Sequence, residues 1–463
     1  MYNVLYHSKI SYLKSYHILL FIFLIMMVSD LNFISNRSLL MGLALVSIVF
    51  LSLPYLFQEP YILIKDINIV LVILFYWSLY TVFWTDFPLQ AMLRVFMIYL
   101  PSFILLILVS TDKDKVKTFL AITKIFCTFL SIISGIGLTL RLFASTQYLG
   151  GKWIGKLTFG PFSIYQELYG IPPFLRITSI TNNPNTLALW LVFSITFCVL
   201  LYRIGKFSFK AFVFHFVLQM TCLFLTISRG GILSTLISLF LIYVMSKKQR
   251  IIYISSLLLI ILVFLFSFVL EEGRSFPVGD YTQWRISIDL NSRQDAWIPL
   301  IREIIEHPLL GCGFGVSSEA ILQKQQLDIS AHNLYLMIFS ETGLLGGSLF
   351  LLFWFLSIIR VFSLYKYAKK LSLSKQEYYS VLVCFSLQVS LLFHQFFEVK
   401  LLRLDVVHFI WMYLIAYTSE LYKSKKLKEH NKSEKNQTHP PHHRPQHRRS
   451  GDDVVPVVVQ NRS

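Results

Sequence analysis

The fold class this sequence predicts is an all-α polytopic membrane protein, with about twelve transmembrane helices and a large extracytoplasmic loop carrying short helices. Two observations predict it. Hydrophobic residues make up 55% of the 463 positions and charged residues only 14%, whereas soluble chains carry about a quarter charged. Apolar runs near the ~20 residues needed to cross a bilayer also recur along the sequence. Lipid offers the backbone no hydrogen-bond partner, so segments of this length span as helices.

The runs fall at 17–35, 39–57, 67–84, 91–109, 118–141, 186–203, 209–226, 230–246, 251–270, 331–358, 380–397 and 405–418. The first is broken by Ser29-Asp30 and has no small-residue cleavage site, so it reads as a retained helix and not a signal peptide. The net charge of +17 could suggest nucleic acid, but its placement excludes that partner. Alternate loops hold Lys9 and Lys14, Lys65, Lys113 to Lys117, Arg203 to Lys210, Lys247 to Arg250 and Arg360 to Lys375, and the tail adds more. The greater part of the basic residues thus lies on one side, which is the positive-inside pattern and puts both termini in the cytoplasm. The polytopic domain is then 1–423, with extracytoplasmic loops at 142–185 and 271–330, and 424–463 is a disordered basic cytoplasmic tail. The five cysteines are scattered, with no metal spacing and no disulfide framework.

Within 271–330 acidic side chains outnumber basic ones, so an anion site there must rely on particular arginines. Ser292-Arg293-Gln294-Asp295 has the form of a helix start with Ser292 as its cap. Trp297, Leu300, Ile301, Ile304 and Ile305 give that helix one apolar face, which Pro299 should kink or shorten. Arg274, Arg285 and Arg302 read as solvated or paired with neighbouring carboxylates. His332 stands where the next apolar helix begins. A histidine titrates near pH 6.5 when unperturbed and can act as a neutral base; the alternative is a capping or packing role. Arg94, inside the outer end of its run, either snorkels or lines a donor site. Glu341 is an intramembrane carboxylate, costly and so suspicious, but nine residues beyond His332 it suits the role of a structural partner for an arginine. His394 and Glu398 are a weaker pair of the same kind. Asp112-Lys113-Asp114 reads as a solvated loop, and Gly343, Gly346 and Gly347 as permitting close helix approach.

Four short motifs stand in a fixed order. They are Arg176-Ile-Thr-Ser-Ile-Thr-Asn-Asn-Pro-Asn-Thr-Leu-Ala188, Ser228-Arg229-Gly230-Gly231, Arg293 to Trp297 with His307-Pro308-Leu-Leu-Gly311-x-Gly313, and His332-Asn333 followed after nine residues by Gly343-Leu-Leu-Gly346. Together they resemble the bacterial O-antigen ligase and O-antigen (exopolysaccharide) polymerase superfamily over about residues 170–350. The tail after 424 has no counterpart in that family.

The resemblance implies a bacterial inner-membrane glycosyltransferase that uses a polyprenyl-pyrophosphate-linked glycan, without metal or other cofactor, at a site facing outward. It implies His332 as the general base, with Asn333, Glu341, Gly343 and Gly346 supporting it. Arg176, Arg229, Arg293 and Arg94 are the candidates for the pyrophosphate and glycan, since guanidinium forks bind phosphate oxygens bidentately. A flippase and a chain-length regulator are the partner proteins it suggests. A polymerase of O-antigen, capsule or exopolysaccharide repeats is favoured over a ligase acting on the lipid A core, because the outer loop is acidic. A transporter or flippase should show two similar halves, which this sequence does not, and an accessory membrane scaffold would tolerate loss of His332.

Overall fold

The computed structural model describes residues 15–29, 31, 46, 49, 52, 67–149, 152–159, 162–169, 175–181, 183–246, 290–325, 331–403 and 405–438. The chain divides into two units, Met1–Tyr422 and Lys423–Ser463. The helices are α1 (Ser15–Ser29), α2 (Asn68–Tyr80), α3 (Pro88–Thr111), α4 (Lys115–Phe143), α5 (Pro184–Arg203), α6 (Phe209–Leu225), α7 (Arg229–Ser246), α8 (Leu290–Glu306), α9 (Leu334–Lys366), α10 (Lys375–His394) and α11 (Val406–Thr438). Among the described residues α3, α4, α5, α7 and α9 are long and apolar enough to cross a membrane, and α1, α2 and α6 are shorter apolar helices. The predicted runs at 39–57 and 251–270 lie outside the described residues, while each of the others falls on a helix.

Helix α5 is the hub. Asn183 caps it by accepting from the Asn185 N–H at 2.8 Å, and Pro184 occupies its first turn, where no N–H is needed. Leu187 to Phe193 are buried all round, as in a helix with neighbours on every side. Those neighbours are α4, α6, α7 and α10; α10 also packs on α7 and α9, and α9 on α2 and α8.

The structure corrects three expectations. First, the fold is not all-α. The loop 142–185 carries an antiparallel meander of β1 (Ser145–Leu149), β2 (Lys152–Phe159), β3 (Phe162–Tyr169) and β4 (Arg176–Ile177). Register pairs Leu149 with Lys152 and Phe159 with Phe162. The meander is held on α4: Gln166 Nε2 donates to Gly137 O at 3.2 Å, and Ser179 Oγ to Ile133 O at 2.6 Å.

Second, α9 is not one uninterrupted span. Gly343 has φ 65° and ψ −174°, and the helix breaks there. The turn after α8 fills the break. Cys312 N donates to Ser340 O at 2.9 Å, Gly313 N to Glu341 O at 2.9 Å, and Leu344 N to Pro308 O at 2.7 Å. Trp77 Nε1 on α2 reaches Thr342 O at 2.9 Å. The backbone groups freed by the break are therefore re-satisfied by protein, as a membrane-spanning segment requires.

Third, α8 starts at Leu290, so Ser292 lies inside the first turn and does not precede it; Pro299 sits within the helix without ending it. The predicted apolar face also divides, with Ala296 and Leu300 buried but Ile301 and Ile305 exposed. Helix α11 runs to Thr438. A smaller difference concerns Asp112, which is buried in the α3–α4 turn, where its carboxylate accepts from Asp114 N at 3.0 Å.

Candidate active site

The site is built where the start of α9 meets the link between α10 and α11. Asn333 caps α9 by accepting from Tyr335 N at 3.0 Å and Leu336 N at 3.1 Å. The residue before it, His332, adopts φ +47°. That left-handed backbone costs a non-glycine residue on the order of 1 kcal/mol or more and persists only where neighbours impose it. They do so on both sides. Trp297 Nε1 on α8 donates to Ala331 O at 2.8 Å, and Leu334 N donates to Gln395 O at 2.9 Å.

The strained backbone turns the imidazole toward Glu398. Nδ1 is buried and lies 3.3 Å from Glu398 Oε1, within ion-pair distance but off the line of a hydrogen bond. The histidine side chain as a whole keeps 33% of its surface exposed, so the ring is reachable from its other edge. A carboxylate facing Nδ1 favours the proton there and leaves Nε2 as the acceptor.

Glu398 is itself positioned. Asn185 Nδ2 donates a short hydrogen bond to Glu398 Oε1, and Arg176 Nη2 donates to Asn185 Oδ1 at 2.6 Å. Arg176 Nε donates to Thr226 O at 2.7 Å, at the turn that leads into α7. A continuous polar run therefore links Arg176, Asn185, Glu398 and His332 across β4, α5, the α10–α11 link and the start of α9. Burial alone would raise the Glu398 carboxyl, but the His332 contact and the Lys400 charge outweigh it and hold the group at about 2.

This depression has a testable sign. An ordinary glutamate in the unfolded chain titrates near 4.5, so Glu398 contributes stability above that pH and loses it as the pH falls to about 2. In detergent, Glu398→Gln should melt below the parent protein at neutral pH, by at most on the order of 3 kcal/mol. The gap should close between pH 4.5 and 2; a gap of constant size would show that the carboxylate charge is not what stabilises.

The other expected site residues divide. Arg229 opens α7 beside this centre: a Cβ on Gly230 would lie 3.3 Å from Phe397, next to Glu398 in the chain. A Cβ on Gly231 would meet Ala188 of α5 at 2.7 Å, so the paired glycines let α7 start close against both neighbours. Arg293 lies in the first turn of α8, but its side chain is outside the described residues, as are Arg274 and Arg285; Arg302 is exposed.

Arg94 does not join the centre. It makes a two-pronged pair with Glu319, at 3.0 and 2.6 Å, and its stem passes where a Cβ on Gly315 would sit. Burial would raise the Glu319 carboxyl, yet the Arg94 hydrogen bond leaves it below the usual range. Glu341 is buried and takes the Ser317 hydroxyl on Oε1 at 2.6 Å, so its first partner is a serine and not the arginine expected. Gly343 admits the Leu309 carbonyl and Gly346 the Trp77 ring of α2, so the close approach is real but involves a loop and an indole.

Sequence reasoning missed Asn185, Trp297 and the importance of Glu398. The first two were visible inside the quoted motifs, and Glu398 as a carboxylate closing an apolar run. Trp297→Phe tests the indole's role. It removes the donor to Ala331 O, costing about 1 kcal/mol of stability, and should lower turnover with little change in KM; equal parent and variant turnover would assign Trp297 to packing alone.

An imidazole backed by a buried carboxylate can take a proton from a hydroxyl, and here it stands at the end of helices long and apolar enough to cross a membrane. Residues 214–351 match the family model described as O-antigen ligase. The match contains Arg229, Arg293, His332, Asn333, Glu341, Gly343 and Gly346; Arg94, Arg176, Asn185 and Glu398 lie outside it. No curated protein matches the chain. The match and the apolar helices together point to a membrane glycosyltransferase of the ligase/polymerase type.

Proposed function

We propose that this chain moves a glycan from a polyprenyl-pyrophosphate carrier to a hydroxyl acceptor, with inversion, and so polymerises the repeat units of a surface polysaccharide. The observation that carries this reading is the run from Arg176 through Asn185 and Glu398 to His332, within and beside an O-antigen ligase domain.

In the reaction, Nε2 of His332 takes the proton of the acceptor hydroxyl as its oxygen attacks the anomeric carbon. The bond from that carbon to the pyrophosphate oxygen breaks, and the polyprenyl pyrophosphate departs with the electron pair. Glu398 holds the ring and balances the imidazolium that forms, as a carboxylate does behind a catalytic histidine. Arg229 and Arg293 are the guanidiniums assigned to the departing pyrophosphate, where preorganised positive charge contributes most of the rate. Arg176, anchored by Thr226 and Asn185, is a positioning residue for Glu398.

The basic loops support an inner-membrane protein with cytoplasmic termini and a site opening outward. The acidic character of 271–330 supports a lipid-linked repeat as acceptor over a phosphorylated core. The test is the lipid-linked glycan profile of a strain lacking the gene. Polymerisation leaves single repeats on the carrier, whereas ligation leaves full-length glycan stranded on it. An unchanged profile would remove both readings.

A further inference from the structure

Helix α8 buries Ala296 and Leu300 while Ile298, Ile301 and Ile305 stand 56%, 43% and 72% exposed. At 100° per residue these three isoleucines lie within about 60° of one another. Asp295, Arg302 and Glu306, all exposed, border the stripe on one side. The helix thus has three surfaces: one against the bundle, one apolar but uncovered, one charged.

The uncovered stripe does not stop at the end of α8. Leu309 and Leu310 are exposed, and the Leu344 N to Pro308 O bond sets them beside the exposed Leu344 and Leu345. From there exposed Leu352, Phe355, Ile359 and Phe362 continue down α9 at helical spacing. A row of that kind on a helix able to cross a membrane faces acyl chains. Continuity with it selects the occupant of the α8 stripe.

We infer that α8 and the Leu309-Leu310 turn form an interfacial element whose isoleucine stripe is sunk among the lipid acyl chains of the leaflet at the His332 end of α9. The Asp295, Arg302 and Glu306 flank stays in water, which is how an amphipathic helix lies in a bilayer surface. The Trp297 to Ala331 bond then ties the depth of α8 to the height of His332. That consequence rests on the proposed function, because it sets the base level with a lipid-borne phosphate; the lipid contact itself does not.

The experiment uses the full chain in phospholipid nanodiscs, with Cys312→Ser as background since the other cysteines are buried. Nitroxides are placed at Ile298→Cys, Ile301→Cys and Ile305→Cys, with Asp295→Cys and Glu306→Cys as references. All five positions are exposed, so each label leaves the buried face intact. At the isoleucine positions collision with oxygen should exceed collision with a water-soluble nickel chelate, and the ratio should invert at the references. Nickel-dominated collision at the isoleucines would mean a solvated stripe and overturn the inference. Low collision with both probes would overturn it too, showing that residues 247–289 or a second copy covers the stripe. Neither outcome bears on glycan transfer, so this inference and the proposed activity fail separately.

Discussion

His332→Ala should lower turnover of lipid-linked glycan by about 10²–10⁴, the usual worth of a general base, while the protein stays folded and loses no more stability than Glu398→Gln does, at most on the order of 3 kcal/mol, because the lost ring is also Glu398's partner. The backbone around position 332 should be little disturbed. The ring is one-third exposed, and its backbone is held by its neighbours' bonds to Trp297 and Gln395 and not by the imidazole. His332→Gly sharpens the test, because glycine accepts φ +47° without strain. It should be no less stable than the alanine variant, gaining up to about 1 kcal/mol over it, and just as inactive. If the glycine variant kept near-parental turnover, His332 would be a turn residue and the proposed mechanism would be wrong.

Gly343→Ala should be the most damaging single methyl in the described structure. At φ 65° and ψ −174° only glycine is at ease, and a Cβ there would lie 2.1 Å from the Leu309 carbonyl oxygen. The turn after α8 would have to leave the break, losing the Pro308 and Leu344 bond and its bonds to the Ser340 and Glu341 carbonyls. Backbone strain plus the lost bonds amount to about 3–5 kcal/mol. Thermal unfolding in detergent checks this against Gly346→Ala, whose φ is ordinary for alanine and whose Cβ would meet side-chain atoms of Thr342 and Trp77 and no backbone carbonyl. The Gly343 variant should be clearly the worse; equal losses would mean that the break relaxes freely.

Much of the helical skeleton was legible because apolar length is a strong and local signal. The bounds of α5 follow from Asn183-Pro184, a cap and a first-turn proline, and those of α9 from Asn333. The meander was written in Gly150-Gly151 and Gly160-Pro161 between aromatic and β-branched runs, but a loop length consistent with a polar insert concealed it. The break at Gly343 was hidden for a different reason. A glycine inside an apolar run can serve packing or backbone, and only the Leu309 carbonyl distinguishes the two.

At the site, the sequence offered His332 and the arginines individually, since each has a distinctive type and motif. It did not offer their connections. Glu398 lies 66 residues from His332, Asn185 lies 213 from Glu398, and no local spacing encodes such contacts. Arg94 illustrates the converse. Its position in an apolar run resembled a donor-site cation, yet a carboxylate 225 residues away claims it.

The central claim is that His332 and Glu398 act as one unit, and a double-mutant cycle on purified protein measures it directly. Turnover of a lipid-pyrophosphate glycan is compared for the parent, His332→Ala, Glu398→Gln and the pair. Groups that work together are strongly non-additive, so the double variant should be no slower than His332→Ala alone. Losses that multiply, with the double variant slower by the full product of the two, would show that the carboxylate acts independently of the imidazole and contradict the account.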